Sequence, residues 1–250
     1  MRRPLVAGNW KMHGTHSSVA ELIKGLRQLA LPSGVDVAVM PPCLFISQVI
    51  QGLAGKAIDV GAQNSAVEPM QGALTGETAP SQLADVGCSM VLVGHSERRL
   101  ILGESDEVVS RKFAAAQSCG LVPVLCVGET RAEREAGKTL EVVARQLGSV
   151  IDELGVGAFA RAVVAYEPVW AIGTGLTASP RKPRKCTRRS ARNWQRKMPR
   201  SQRCATPLRR QCKGGKCSRV VRHAGYRWGL VGGASLNADE FGAICRAAGS

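Results

Sequence analysis

No stretch of this chain approaches the roughly 18 consecutive apolar residues that a membrane-spanning helix needs, and its first residues show no basic, apolar, small-residue signal pattern. A soluble, cytoplasmic protein without a membrane partner is therefore expected. No Gly-x-Gly-x-x-Gly follows the first apolar run, which argues against a dinucleotide-binding open sheet. Nine cysteines is an odd count, and Cys43, Cys88, Cys119, Cys126 and Cys245 stand singly in apolar or helical contexts, so free thiols are expected rather than disulfides. Acidic residues are missing from one region: residues 181–228 hold 18 of the 34 Lys and Arg and none of the 19 Asp and Glu. Elsewhere 16 basic residues face 19 acidic ones, a net charge of −3, so the formal +15 belongs to one block set into a mildly acidic chain. The charge of the whole is thus no argument for a nucleic-acid partner.

What the chain does contain is a regular alternation. Apolar runs at residues 5–9, 35–40, 57–63, 90–93, 122–127, 162–166 and 229–231 are mostly continuous in hydrophobicity, the pattern of strands buried on both faces of a parallel sheet. Between them stand segments of helical period: residues 18–29, with Val19, Leu22, Ile23 and Leu26 on one stripe, 105–118 and 139–154. Strand and helix in turn predict repeated βαβ units and an α/β fold. Seven strands are counted, and the gap at 178–228 has room for a helix, a strand and a helix. The expectation is a closed (β/α)8 barrel, one domain over residues 1–250, a common size for such barrels. An open doubly wound sheet is the alternative.

Three segments put reactive groups at strand ends, where barrels keep their chemistry. Residues 164–177 read Val-Ala-Tyr-Glu-Pro-Val-Trp-Ala-Ile-Gly-Thr-Gly-Leu-Thr, so a strand delivers the carboxylate of Glu167 onto a loop begun by Pro168 and hinged by glycine. Glu-Pro could be only a turn, yet the residues after it are too apolar for a permanently open loop. A closing loop that buries Trp170 and Ile172 would desolvate the carboxylate and raise its basicity. Asn9 and Lys11 leave the first strand. Lys11 is either a solvated surface charge or an ammonium fixed to hold a phosphate and a developing oxyanion. His95, between Gly94 and Ser96-Glu97-Arg98-Arg99, is either a satisfied core histidine or a ring at a helix N-terminus, where the positive helix end disfavours imidazolium and a neutral ring can donate to a carbonyl. Glu97 either joins a network with Lys11 or pairs with the neighbouring arginines. After the last strand, Gly232 and Gly233 expose successive backbone N–H groups as an anion nest.

With Gly8-Asn9-Trp10-Lys11-Met12, Val93-Gly94-His95-Ser96-Glu97-Arg98-Arg99 and the Glu167 segment, the chain resembles the triosephosphate isomerase family over residues 1–180 and 229–250. The resemblance implies a TIM barrel and the interconversion of dihydroxyacetone phosphate and D-glyceraldehyde 3-phosphate, in glycolysis and gluconeogenesis, without cofactor or metal. It implies Glu167 as the base, His95 as the electrophile and proton shuttle, Lys11 and Asn9 as substrate ligands, Glu97 as support, and Gly173, Gly232 and Gly233 as phosphate-binding N–H groups. The loop from Gln63 to Thr78, with Thr75-Gly76-Glu77, resembles the arm by which this family forms homodimers. Cys126 resembles a core cysteine of the family and is not a nucleophile. Another phosphate-sugar barrel enzyme is the alternative within this class.

The block 181–228 departs from the family. It has little apolar periodicity, and Pro183, Pro199 and Pro207 interrupt any helix, so as written it supplies neither the sixth helix, the seventh strand nor the seventh helix. One reading is a basic, nucleic-acid-binding insertion with Cys204, Cys212, Cys217 and His223 as zinc ligands, though their spacing fits no common zinc module. The other is translation out of frame. Synonymous codons for 181–191, read with one base restored in front, give Ala-Gln-Ala-Gln-Glu-Val-His-Ala-Ala-Ile-Arg, an amphipathic helix. Codons for 208–213 read one base later give Tyr-Gly-Gly-Ser-Val-Lys, the family's phosphate loop, whose Ser has no counterpart here: Arg209, Arg210 and Gln211 stand in its place. Three single-base losses, near codons 180, 203 and 228, account for both frames. A chain with this literal block is expected to fold poorly and to be nearly inactive.

Overall fold

The structure is a computed structural model that describes residues 3–167, 169 and 228–249. The block 181–228 other than Trp228, and the loop residues 170–177 with Gly173, lie outside the described residues. Seven strands are present: β1 (Leu5–Asn9), β2 (Asp36–Met40), β3 (Asp59–Ala62), β4 (Met90–Val93), β5 (Val122–Val127), β6 (Val163–Tyr166) and β7 (Trp228–Val231). They pair in parallel in the order β6-β5-β4-β3-β2-β1-β7. The outer strands β6 and β7 approach each other, so the sheet is nearly closed into a barrel. These are the seven strands expected from the apolar runs, with ends trimmed or extended by one or two residues.

The helices are α1 (His16–Gln28), α2 (Ile46–Gly52), α3 (Pro80–Asp85), α4 (Ser96–Leu100), α5 (Asp106–Ser118), α6 (Arg131–Glu135), α7 (Thr139–Leu154) and α8 (Ala238–Ala248). Their starts follow from capping side chains. Thr15 accepts from the Ser18 N–H while Ser18 Oγ accepts from the Thr15 N–H, which starts α1 at His16, two residues before the expected segment 18–29. Ser105 caps α5 on the Val108 N–H, and Asn237 caps α8 on the N–H groups of Asp239 and Glu240. On α1 the stripe Val19, Ile23 and Leu26 is buried against the barrel, as its spacing predicts. Each such side chain contributes about 1.5–3 kcal/mol on burial.

Side chains along a strand alternate between two faces, and here both faces are dry. Leu5, Ala7, Met90, Leu92, Val124, Cys126, Val163 and Ala165 fill the barrel interior. Val6, Val37 and Val39 face one outer layer, and Val91, Val93 and Leu125 the other. This explains why the strands read as unbroken apolar runs. The same count of two carries the inward series 5, 7 on to Asn9, and 163, 165 on to Glu167, both at the C-terminal mouth.

Candidate active site

Glu167 is 1 % exposed. Its Oε2 accepts the Ser96 N–H at 3.2 Å, and its Oε1 lies 3.4 Å from His95 Nε2. Its backbone passes directly over Gly128, where a Cβ would stand 1.7 Å from the Glu167 carbonyl oxygen, so no side chain fits at that position. Just before it, the Tyr166 hydroxyl donates to both carboxylate oxygens of buried Glu129 at 2.9 and 2.7 Å, and Arg134 pairs with Glu129 at 2.9 Å.

His95 breaks the parity of β4. Gly94, with φ +66°, turns the chain so that residue 95 stands at the mouth, and a Cβ there would meet Val109 and Arg99 at 2.8 Å. The His95 ring caps α4: its Nδ1 accepts the Glu97 N–H at 3.3 Å. The same Nδ1 lies 3.4 Å from Glu97 Oε2, and Nε2 is the ring nitrogen that faces Glu167.

Lys11 follows β1 with φ +54°, a conformation that costs a non-glycine residue about 1–3 kcal/mol. Two neighbours hold it there: Asn9 Oδ1 accepts the Lys11 N–H at 3.0 Å, and Gln63 Nε2 donates to the carbonyls of Lys11 and Met40 at 2.9 and 2.8 Å. The ammonium bonds Glu97 Oε1. The arginines beside Glu97 pair elsewhere, Arg98 with Glu104 and Arg99 with Asp106, each at 2.5 Å. Of the two readings of Glu97, the network with Lys11 is the one observed. Gly232 and Gly233 follow β7, whose Val231 is paired with Gly8, and so stand beside Asn9 at the same mouth.

Lys11, Glu97, His95 and Glu167 thus form one connected chain of polar contacts. A cavity of about 440 Å³ lies over the first three and Asn9, and reaches Gly76, Thr78 and Leu102. An ammonium and an imidazole face this space, and the buried carboxylate of Glu167 stands beside that imidazole; groups so placed can hold an anion, polarise a carbonyl and move a proton. Among the described residues no group of three or more His, Cys, Asp or Glu is arranged to hold a metal ion.

Comparison with known proteins agrees with this geometry. The family model described as triosephosphate isomerase matches residues 4–248. The chain belongs to the triosephosphate isomerase family. It is 81 % identical over 259 residues to the triosephosphate isomerase of Pseudomonas aeruginosa strain LESB58, with all of both chains covered. The triosephosphate isomerases of Pseudomonas fluorescens strain Pf0-1 and Pseudomonas putida strain W619 are 67 % identical over 253 residues and 62 % over 251, again over the whole of both chains.

For a triosephosphate isomerase chain, three supporting groups escape a reading of sequence motifs. Gln63 holds the Lys11 turn, the Ser96 N–H holds Glu167, and the Tyr166–Glu129–Arg134 group braces the end of β6. Ser96 lay inside a motif already singled out. The Gln63–Lys11 and Tyr166–Glu129 bonds had no local signal, because their partners are 52 and 37 residues apart in sequence.

Proposed function

We propose that the site interconverts dihydroxyacetone phosphate and D-glyceraldehyde 3-phosphate by proton transfer through an enediolate, without cofactor or metal. Glu167 removes the proton beside the carbonyl and returns it to the adjacent carbon. Neutral His95 donates from Nε2 to the carbonyl oxygen and shuttles protons between the two oxygens. Lys11 and Asn9 hold the substrate and its developing charge, with Glu97 steadying the ammonium. Gly232 and Gly233, together with Gly173, offer N–H groups to the phosphate, and the loop 168–177 closes to keep the enediolate from losing phosphate. The observation that carries this reading is the 3.4 Å approach of His95 Nε2 to Glu167 Oε1, at the end of a contact chain that begins at Lys11.

We further propose a homodimer built through the loop around Thr75. Its support is the set of exposed apolar residues Met12, Leu44, Met70, Leu100, Ile101 and Leu102, all in segments that follow β1 to β4, an area of apolar surface that a monomer would leave wet. Residues 1–250 are proposed as one cytoplasmic barrel domain in which 181–228 is an out-of-frame segment. No helix among the described residues is long and apolar enough to cross a membrane.

The test compares two proteins in an assay of both triose phosphates: the chain as written, and the chain made after restoring the three bases around 181–228. The frame-restored chain is expected to turn over both substrates and the literal chain to be nearly inert. A folded, frame-restored chain inactive on both would overturn the enzymatic reading. A soluble, fully active literal chain would overturn the out-of-frame reading and leave the enzymatic one standing.

A further inference from the structure

Behind Glu167, on the side away from Lys11, lies a second cavity of about 190 Å³. Five buried side-chain polar atoms among the described residues have no hydrogen-bond partner, and three of them, Ser96 Oγ, Arg99 Nη2 and Glu104 Oε2, belong to residues that line this one space. Ser96 is 5 % exposed, and the side chains of Arg99 and Glu104 are 10 % and 7 % exposed. Buried donors and acceptors are nearly always satisfied, so three orphans around one void call for a ligand inside it.

The charges of the lining decide what that ligand is. Arg99 and Arg145 are both taken by Asp106, Glu104 by Arg98 and Lys112, and Glu133 by the cap of α6, where its carboxylate accepts from the Thr130 N–H and hydroxyl. Glu167 accepts the Ser96 N–H and faces His95, so every charged side chain of the lining already has a partner. What remains is one guanidinium donor, one carboxylate acceptor and one hydroxyl able to serve as either, which suits water. We propose that this cavity is a structural hydration site: an ordered water cluster joins Ser96 Oγ, Arg99 Nη2 and Glu104 Oε2 and extends to Glu167, which also lines it. Arg99 is thereby a positioning residue. Through Gly94, whose carbonyl accepts its Nε at 2.8 Å, it fixes the turn that presents His95, and through the waters it supports the Glu167 carboxylate in the orientation held by the Ser96 N–H.

The hydration site stands on geometry alone, whereas its effect on turnover rests on the function proposed above. Both are tested on the frame-restored chain. A crystal structure at a resolution where ordered waters are visible is expected to show water bonded to at least two of the three atoms. A dry cavity, or one filled by a side chain of the protein itself, overturns the proposal whatever the kinetics. Ser96→Ala supplies a second reading that does not depend on any change at Arg99. Deleting a hydroxyl bonded to water is expected to lower Tm, whereas deleting a truly orphaned one would raise it or leave it unchanged, and either of those results also counts against the site. For Arg99→Lys, kcat is expected to fall on the order of tenfold with KM within about twofold, because no residue that lines this cavity also lines the one over Lys11. An unchanged kcat in folded Arg99→Lys, or a loss confined to KM, removes Arg99 from the positioning role and leaves the hydration site to the crystal structure.

Discussion

At the N-terminal end of the barrel Arg3 meets Asp36 at 3.2 Å with both side chains about half exposed, and Asp59 on the neighbouring strand adds a second negative charge, without a cation partner among the described residues. At the C-terminal end, Lys112, Glu104 and Glu167 are almost wholly buried, and the bonds between them and their neighbours are numerous: Lys112 bonds Glu104 at 2.6 Å and Asn64 at 2.8 Å. The same strands run through both ends, so the difference comes from solvent. Exposed ion pairs are screened and contribute about 0–1 kcal/mol, which lets the N-terminal end tolerate like charges on adjacent strands. A buried charge without its partner costs several kcal/mol, so at the C-terminal end pairing dictates geometry, and a geometry fixed that firmly can hold reacting groups.

Substitutions at the two ends should separate these regimes, and the frame-restored chain is the protein in which to measure them. Lys112→Met, which leaves Glu104 buried with one cation fewer, is expected to cost about 3–5 kcal/mol in urea unfolding at neutral pH. Burial alone would push the Glu104 carboxyl up, but the hydrogen bonds and charges of Lys112 and Arg98 outweigh it and hold the group below the ordinary carboxylate range. A group lowered in the folded state contributes stability that is present above its unfolded value and lost as pH falls through the folded one. The gap between wild type and Lys112→Met should therefore narrow in acid; a gap that widened as pH fell would contradict this account.

Glu167→Asp withdraws the base by about one methylene while leaving the charge in place. We expect kcat to drop roughly a hundredfold, about 2.7 kcal/mol, with KM little changed. Steady-state kinetics with unaltered turnover would take the base role away from Glu167.

The smallest effect belongs to the opposite end. Partial burial and, after it, the charge of Asp36 raise the Asp59 carboxyl. A raised group contributes stability that is complete below its unfolded value and is lost as pH rises through the folded one, so at neutral pH ionised Asp59 is a mild liability. Asp59→Asn should raise Tm slightly near pH 7 and make no difference in strong acid. The residue is exposed, and added salt should shrink the gain. A Tm loss at neutral pH would show that Asp59 has a favourable partner after all.

The barrel was legible because strands buried on both faces must be apolar throughout, and α1, α5 and α7 carry their stripes, with α1 and α5 also their caps Thr15 and Ser105, in local sequence. Glu167 and His95 stood out because each ends an apolar run beside proline or glycine, and Lys11 because it follows the first strand two residues after Asn9. The ambiguity over Glu97 was not resolvable from its neighbours, since Arg98 and Arg99 are adjacent in sequence yet turn to Glu104 and Asp106. Gly173, residues 170–177 of the loop and residues 181–227 lie outside the described residues.

Period and polarity along the chain determined by themselves that this protein is a wheel of parallel strands, and that a carboxylate, an imidazole and an ammonium leave those strands at their C-terminal ends. Only the tertiary structure decided which of these groups touch, that the two nitrogens of His95 face Glu97 and Glu167, and that Gln63, Ser96 and Glu129 bond the residues around them. The physical reason is range: hydrophobic periodicity is written within a few residues, whereas a buried hydrogen bond joins whatever the closed sheet brings to within about 3 Å of each other.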